Sequence, residues 1–284
     1  MKKFIKITLF SVLFCATSWL FSPTVHAQTG NLLIAPTRVV FEGRTRFHAI
    51  TFSNRGTESA LFRVTIVDMS MDENGDMKRI ENPDKNFKSA ARLIRYAPRQ
   101  ITIPAGGVQV VRLSLRKPNN LEEGEYRSHV YFRAIPSEST GRVVGAGGAR
   151  EPGGLSFRLT PVFGVTIPII VRHGKLAAKG GMSDLSYTPA NGEKPAKLGI
   201  TLERSGDRSL FGDLVATYHP KGGSPLVVGE INRLAVYTPN NKRRVTMTLR
   251  VPDGVTLGTG KLNLAYRETQ KAGGKIIAQG DLDL

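Results

Sequence analysis

"LSFRLTPVFGVTIPIIVRH" spans Leu155–His173, and every odd position from Leu155 to Val171 is apolar. The even positions are mixed: Ser, Arg, Thr, Val, Gly, Thr, Pro, Ile and Arg. Such alternation is the signature of a β-strand with one buried face. About 17 residues at roughly 3.3 Å each outrun a small sandwich, whose strands usually hold about 5–6 residues. Pro161 and Pro168 each lack a ladder donor, which favours the edge of a sheet. The pattern predicts that Val165, Ile167, Ile169 and Val171 pack into a core while the preceding stretch projects as an apolar edge. An edge of this kind invites another chain to pair with its backbone and receive its side chains.

The sequence on either side keeps the same rhythm. Before the strand, alternating segments occupy residues 37–41, 47–52, 61–67, 101–103, 108–115 and 128–135. After it come 197–202, 214–218, 226–237, 245–251, 262–266 and 275–284. Turn sequences such as Asn54-Arg55-Gly56, Asn74-Gly75, Lys221-Gly222-Gly223 and Asp253-Gly254 separate them. Short strands at this spacing predict an all-β protein built of β-sandwiches. We read two domains, 31–172 and 175–284, joined just after the long strand. Only residues 88–95 read as a helical turn or two.

Residues 1–27 form a separate unit. Lys2, Lys3 and Lys6 precede an apolar run from Ile7 to Phe21, and Val25-His26-Ala27 is a small-x-small cleavage pattern. This reads as a secretory signal removed before Gln28. Cys15, the only cysteine, lies within it, so the mature chain holds no disulfide, thiolate metal site or cysteine nucleophile. No later apolar stretch is long enough to insert in a membrane. Removing the three signal lysines from the net charge of +17 leaves +14. In an exported protein that charge suits acidic partners or an anionic surface rather than nucleic acid.

Enzyme signals are poor, and no cofactor is implied. His48, His129, His173 and His219 form no metal-ligand spacing, and no G-x-S-x-G elbow occurs. Ser114–Lys117 fits S-x-x-K by letters but ends a strand, where residues three apart point to opposite faces. "GAGGAREPGG" leads into a strand, not the helix a phosphate-cradling loop needs, and reads as a flexible loop. "DENGD" at Asp72–Asp76 opens like a calcium loop, but Met77 stands where glycine is required and Pro83 where glutamate belongs. An Asn-Gly hairpin turn accounts for it.

Several segments, in order, resemble the periplasmic chaperones of chaperone–usher pilus assembly. "APTRVVFEG" (Ala35–Gly43) is similar to that family's first strand, and "ITFSNRGTESALFRVTIVD" (Ile50–Asp68) to its second and third. "YAPRQITIPAGGVQVVRL" (Tyr96–Leu113) and "GEYRSHVYFRAIP" (Gly124–Pro136) are similar to the strands that precede its long loop. The opening strand, ending at Val171-Arg172, resembles the family's donor strand.

The resemblance implies two immunoglobulin-like sandwiches in a bent, L-shaped arrangement and an ATP-independent periplasmic chaperone. Its partners would be pilus or surface-fibre subunits and an outer-membrane usher. A subunit lacking one strand would receive the donated side chains, here Phe157, Leu159, Pro161 and Phe163, with Leu155 extending the set. Arg38 matches the arginine that binds the subunit's C-terminal carboxylate, a role suited to its planar fork of donors. Glu125 and Arg172 match an ion pair at the domain junction. One departure stands out: the family's second anchor is a lysine, and Pro168 occupies its position. That leaves Arg172 or Arg112 as a substitute, or a different anchoring. The bare residues also allow an exported adhesion or scaffolding module using the same edge strand. A self-capped dimer is compatible with an exposed strand of this kind.

Overall fold

The computed structural model describes residues 32–84, 87–136, 142–144, 157–159, 162–252 and 255–284. The signal expected at 1–27 lies outside the described residues, as do Leu155 and Pro161.

The described residues form two sandwiches. In the first, one sheet orders β1 (Leu32–Ala35), β3 (Phe47–Asn54), β8 (Val108–Leu115) and β6 (Ile94–Ala97). The facing sheet orders β2 (Val39–Phe41), β12 (Gly164–His173), β9 (Gly124–Ile135), β4 (Ala60–Met71) and β5 (Met77–Ile80), with β7 (Gln100–Ile103) also on β4. Alternation fills the space between them. Ile50, Phe52, Val111 and Leu113 from one sheet meet Phe41, Val130, Phe132, Ile167, Ile169 and Val171 from the other, all buried. The Phe52 and Phe132 rings lie 4.3 Å apart across the layers.

The second sandwich sets β13 (Ala178–Thr188), β14 (Lys197–Gly206) and β17 (Lys242–Thr248) against β16 (Leu226–Val236), β15 (Leu210–Pro220), β18 (Gly260–Arg267) and β19 (Ile276–Asp283). Leu198, Leu202, Leu214, Leu262, Leu264 and Tyr266 are buried between them.

The Asn74-Gly75 turn joins β4 to β5. Gly75 takes φ of 89° and donates to Asp72 O at 3.0 Å. The Asp72 carboxylate accepts the backbone N–H groups of Asn74 and Asp76.

Three expectations need correction. Residues 88–95 form no helix: Leu93 N–H closes a turn on Ala90 O at 2.9 Å, and β6 begins at Ile94. The strand expected to run unbroken from Leu155 is divided. β11 (Phe157–Leu159) pairs with β10 (Arg142–Val144) in a separate two-stranded ribbon, and β12 starts at Gly164. The two pieces follow different partners. Lastly, Val165 does not join the core but is 42% exposed. Its side of the strand continues that of Ile167 and Ile169, but among the described residues it is not closed over.

Candidate docking site at a half-paired strand and the domain junction

The two sides of β12 are paired over different lengths. Along its whole length it pairs antiparallel with β9, from Gly164↔Arg133 to His173↔Gly124. β2 joins its other side only from Ile169 to Val171, in parallel. Among the described residues, 164–168 therefore belong to an open edge, and 169–171 are interior. Pro168 is the last residue of the open part, where no second ladder requires its missing N–H. The edge continues upstream, because Ala134 N–H donates to Phe163 O at 2.8 Å.

The exposed side chains match this division. Val162, Phe163 and Val165 are 44%, 46% and 42% exposed, while Ile169 and Val171 are fully buried. One apolar stripe thus passes from core to surface between Ile167, which is buried, and Val165, just beyond the end of the second neighbouring strand. Phe157 and Leu159 lie on β11, and Leu155 and Pro161 are outside the described residues.

Arg38 precedes β2, and the β2–β12 register places it beside Pro168. Its guanidinium lies 4.0 Å from the Phe211 ring centroid and 6.0 Å from that of Tyr237, both in the second sandwich. Nη1 is buried and has no hydrogen-bond partner among the described residues. Burial lowers the Arg38 pKa from its ordinary value; Tyr237 opposes this shift, and Arg172 adds to it. Arginine nevertheless stays charged, so a buried donor here is short of an acceptor. An unmet buried donor is costly, and a carboxylate would satisfy it with charge-assisted bonds.

Glu125 and Arg172 meet at the junction. Arg172 Nε donates to Glu125 Oε2 at 3.0 Å, and Nη1 to Glu42 Oε2 at 3.0 Å. The other Glu125 oxygen accepts the backbone N–H of Ser209 at 3.1 Å and also its hydroxyl. Glu125 thus links an arginine of the first sandwich to the opening of β15 in the second. Neither proposed substitute for the lysine is free for that role. Arg172 has both carboxylates as partners, and Arg112 is exposed on the opposite sheet, across from Ala49 and Ala97.

The sequence reading missed several junction residues. Arg127 is 2% exposed and donates to Met69 O at 2.9 Å and Thr238 O at 3.3 Å. Its guanidinium lies 4.4 Å from the Tyr237 centroid. Met71, Ile170, Ala235 and Tyr237 form a buried apolar cluster between the sandwiches, with Phe211 against it. One signal was available: Glu125, Arg127 and His129 alternate along a strand that is otherwise internal. Polar residues at that period mark a face covered by something besides the core.

No protein-family model matches the sequence, and no curated protein matches it. Solved structures do. The CupB2 chaperone of Pseudomonas aeruginosa is 14% identical, covers 89% of this chain and 100% of its own, and gives a TM-score of 0.40. The Escherichia coli chaperone DraB is 14% identical, with 89% and 97% covered and a TM-score of 0.41. A chain of the CsuC–CsuE chaperone–tip adhesion subunit pre-assembly complex of Acinetobacter baumannii is 16% identical, with 89% and 97% covered and a TM-score of 0.42. Each of these matches covers most of this chain.

Proposed function

We propose that this chain is a periplasmic, ATP-independent chaperone for subunits of a pilus or related surface fibre, which it passes to an outer-membrane usher. The observation that carries the reading is the half-paired β12. Among the described residues, its first five offer one free backbone edge, flanked by Val162, Phe163 and Val165 in the open. A subunit missing a strand has the complementary defect, an apolar groove with unpaired backbone. Pairing the two satisfies both edges and covers both apolar surfaces. No nucleotide is needed, because burial and strand pairing supply the driving force.

In this reading the domain at 31–172 lends the strand, with Leu155, Phe157, Leu159, Pro161 and Phe163 as donated positions, and the domain at 175–284 walls the junction. Arg38 receives the subunit's terminal carboxylate. Glu125 and Arg172 hold the junction in shape.

Co-expression with a subunit encoded beside this gene tests the proposal. The expected result is a soluble one-to-one complex, with the subunit aggregated or degraded when expressed alone. A subunit equally soluble with and without this chain would overturn it. Binding only to assembled fibre would point instead to an adhesion or scaffolding module.

A further inference from the structure

The lysine absent at Pro168 leaves one cation where the resemblance asks for two. The second sandwich presents a candidate. Arg233 lies in β16 beside a register shift between Gly212 and Leu214 of β15. Its φ is 56°, a left-handed conformation that residues with a Cβ avoid. The turn is held by Asp213, whose Oδ1 accepts the Arg233 backbone N–H at 2.7 Å. That conformation sends the side chain across the junction, where Nη1 donates to Thr37 Oγ1 at 2.9 Å. Thr37 immediately precedes Arg38.

Both arginines therefore meet the same end of the β15–β16 ribbon. Arg38 lies over Phe211, which pairs with Ala235, and Arg233 is two residues from Ala235. Arg233 is exposed, and its guanidinium forms no ion pair among the described residues. Asp213 holds its backbone and leaves its charge free. One of its five N–H donors is used by Thr37, and the others face no acceptor among the described residues.

We propose that Arg233 is the second cationic group of the carboxylate site, supplied by the second sandwich in place of a donor-strand lysine. A C-terminal carboxylate would then bridge the two sandwiches, held by Arg38 from one side and Arg233 from the other. This rests on the reading of Arg38 as a carboxylate anchor. Specificity for a free chain end follows, because an amidated end offers neither charge nor a second acceptor oxygen.

The test uses the mature protein and two fluorophore-labelled 15-residue peptides alternating valine with serine and lysine. One ends in a free carboxylate and its twin in an amide. Fluorescence anisotropy reads the ratio of their affinities. The wild type should favour the acid by roughly tenfold to a hundredfold, the worth of charge-assisted bonds. Arg233→Ala should cut that ratio by about threefold to tenfold, the charge of Arg38 keeping the rest, and Arg233→Lys should keep more of it, retaining charge without the planar fork. If Arg233→Ala weakens both peptides equally and leaves the ratio intact, Arg233 only ties the sandwiches and the proposal falls. If Arg38→Ala abolishes the ratio and Arg233→Ala leaves it unchanged, Arg38 stands as the anchor and Arg233 is excluded. A wild type with no preference for the acid overturns the carboxylate site itself, and this proposal with it.

Discussion

Val165 and Ile169 lie on the same strand and the same stripe, four residues apart, yet should respond very differently to truncation. Val165→Ala removes two methyl equivalents, about 1.6 kcal/mol if fully buried. Val165 is 42% exposed, so the expected cost falls to about 1 kcal/mol. Ile169 is fully buried between the sheets, and Ile→Ala there loses transfer energy and leaves a cavity, about 2–5 kcal/mol. Urea unfolding of the free mature protein measures the difference. With a slope of about 2 kcal/mol per molar, Val165→Ala should move the first-sandwich midpoint by about 0.5 M and Ile169→Ala by about 1–2.5 M. Far-UV circular dichroism and tyrosine fluorescence serve as probes, because the only tryptophan, Trp19, lies in the expected signal. Capture of a subunit should show the reverse order: Val165→Ala impairs it at little cost to the fold. Equal midpoint shifts for the two variants would refute the division of β12 into an open edge and an interior half.

Glu125→Ala should destabilise the protein by about 3–5 kcal/mol, because it leaves Arg172, with 10% of its side chain exposed, short of one partner and the Ser209 N–H and O–H donors without an acceptor; thermal unfolding checks this, and a loss below about 1 kcal/mol would show the pair to be dispensable. Gly75→Ala should cost about 1–2 kcal/mol, since φ there is 89° and a Cβ would meet the Arg243 guanidinium; the same unfolding measurement reads it. His129 is buried beside Arg127, and burial, with a smaller push from that charge, lowers its pKa from 6.5 to about 3. The folded state then binds fewer protons than the unfolded chain. Stability is therefore full above pH 6.5 and falls towards pH 3, by up to about 1.4 kcal/mol per pH unit. His129→Asn should remove that slope relative to wild type in denaturation series at stepped pH, and parallel curves would reject the assignment.

The all-β class was legible because alternation is a local property. Val108–Leu115 reads as a strand from letters alone and is observed over the same residues. Strands with weaker alternation escaped. β13, Ala178–Thr188, carries Gly180-Gly181 and a register shift between Ser183 and Ser186, so its period-two signal is interrupted. β1, β5 and β6 are four residues each, too short to establish a rhythm.

The sequence by itself determined that the stretch through Val165–Val171 is strand with one apolar face, and that a proline stands where the resemblance asks for a cation. Only the tertiary structure decided where that face stops being core. β2 reaches no further back than the partner of Ile169; the facing sheet still covers Ile167, while Val165 and Phe163 remain open. No period in the letters records the length of a neighbour drawn from 130 residues earlier in the chain, such as Val39 opposite Ile169. The same holds at the junction. Arg38 is far in sequence from Phe211, Arg233 and Tyr237, and they are neighbours because two sandwiches meet there. Local chemistry sets the strand. Contacts made at long range set which part of it is free to bind.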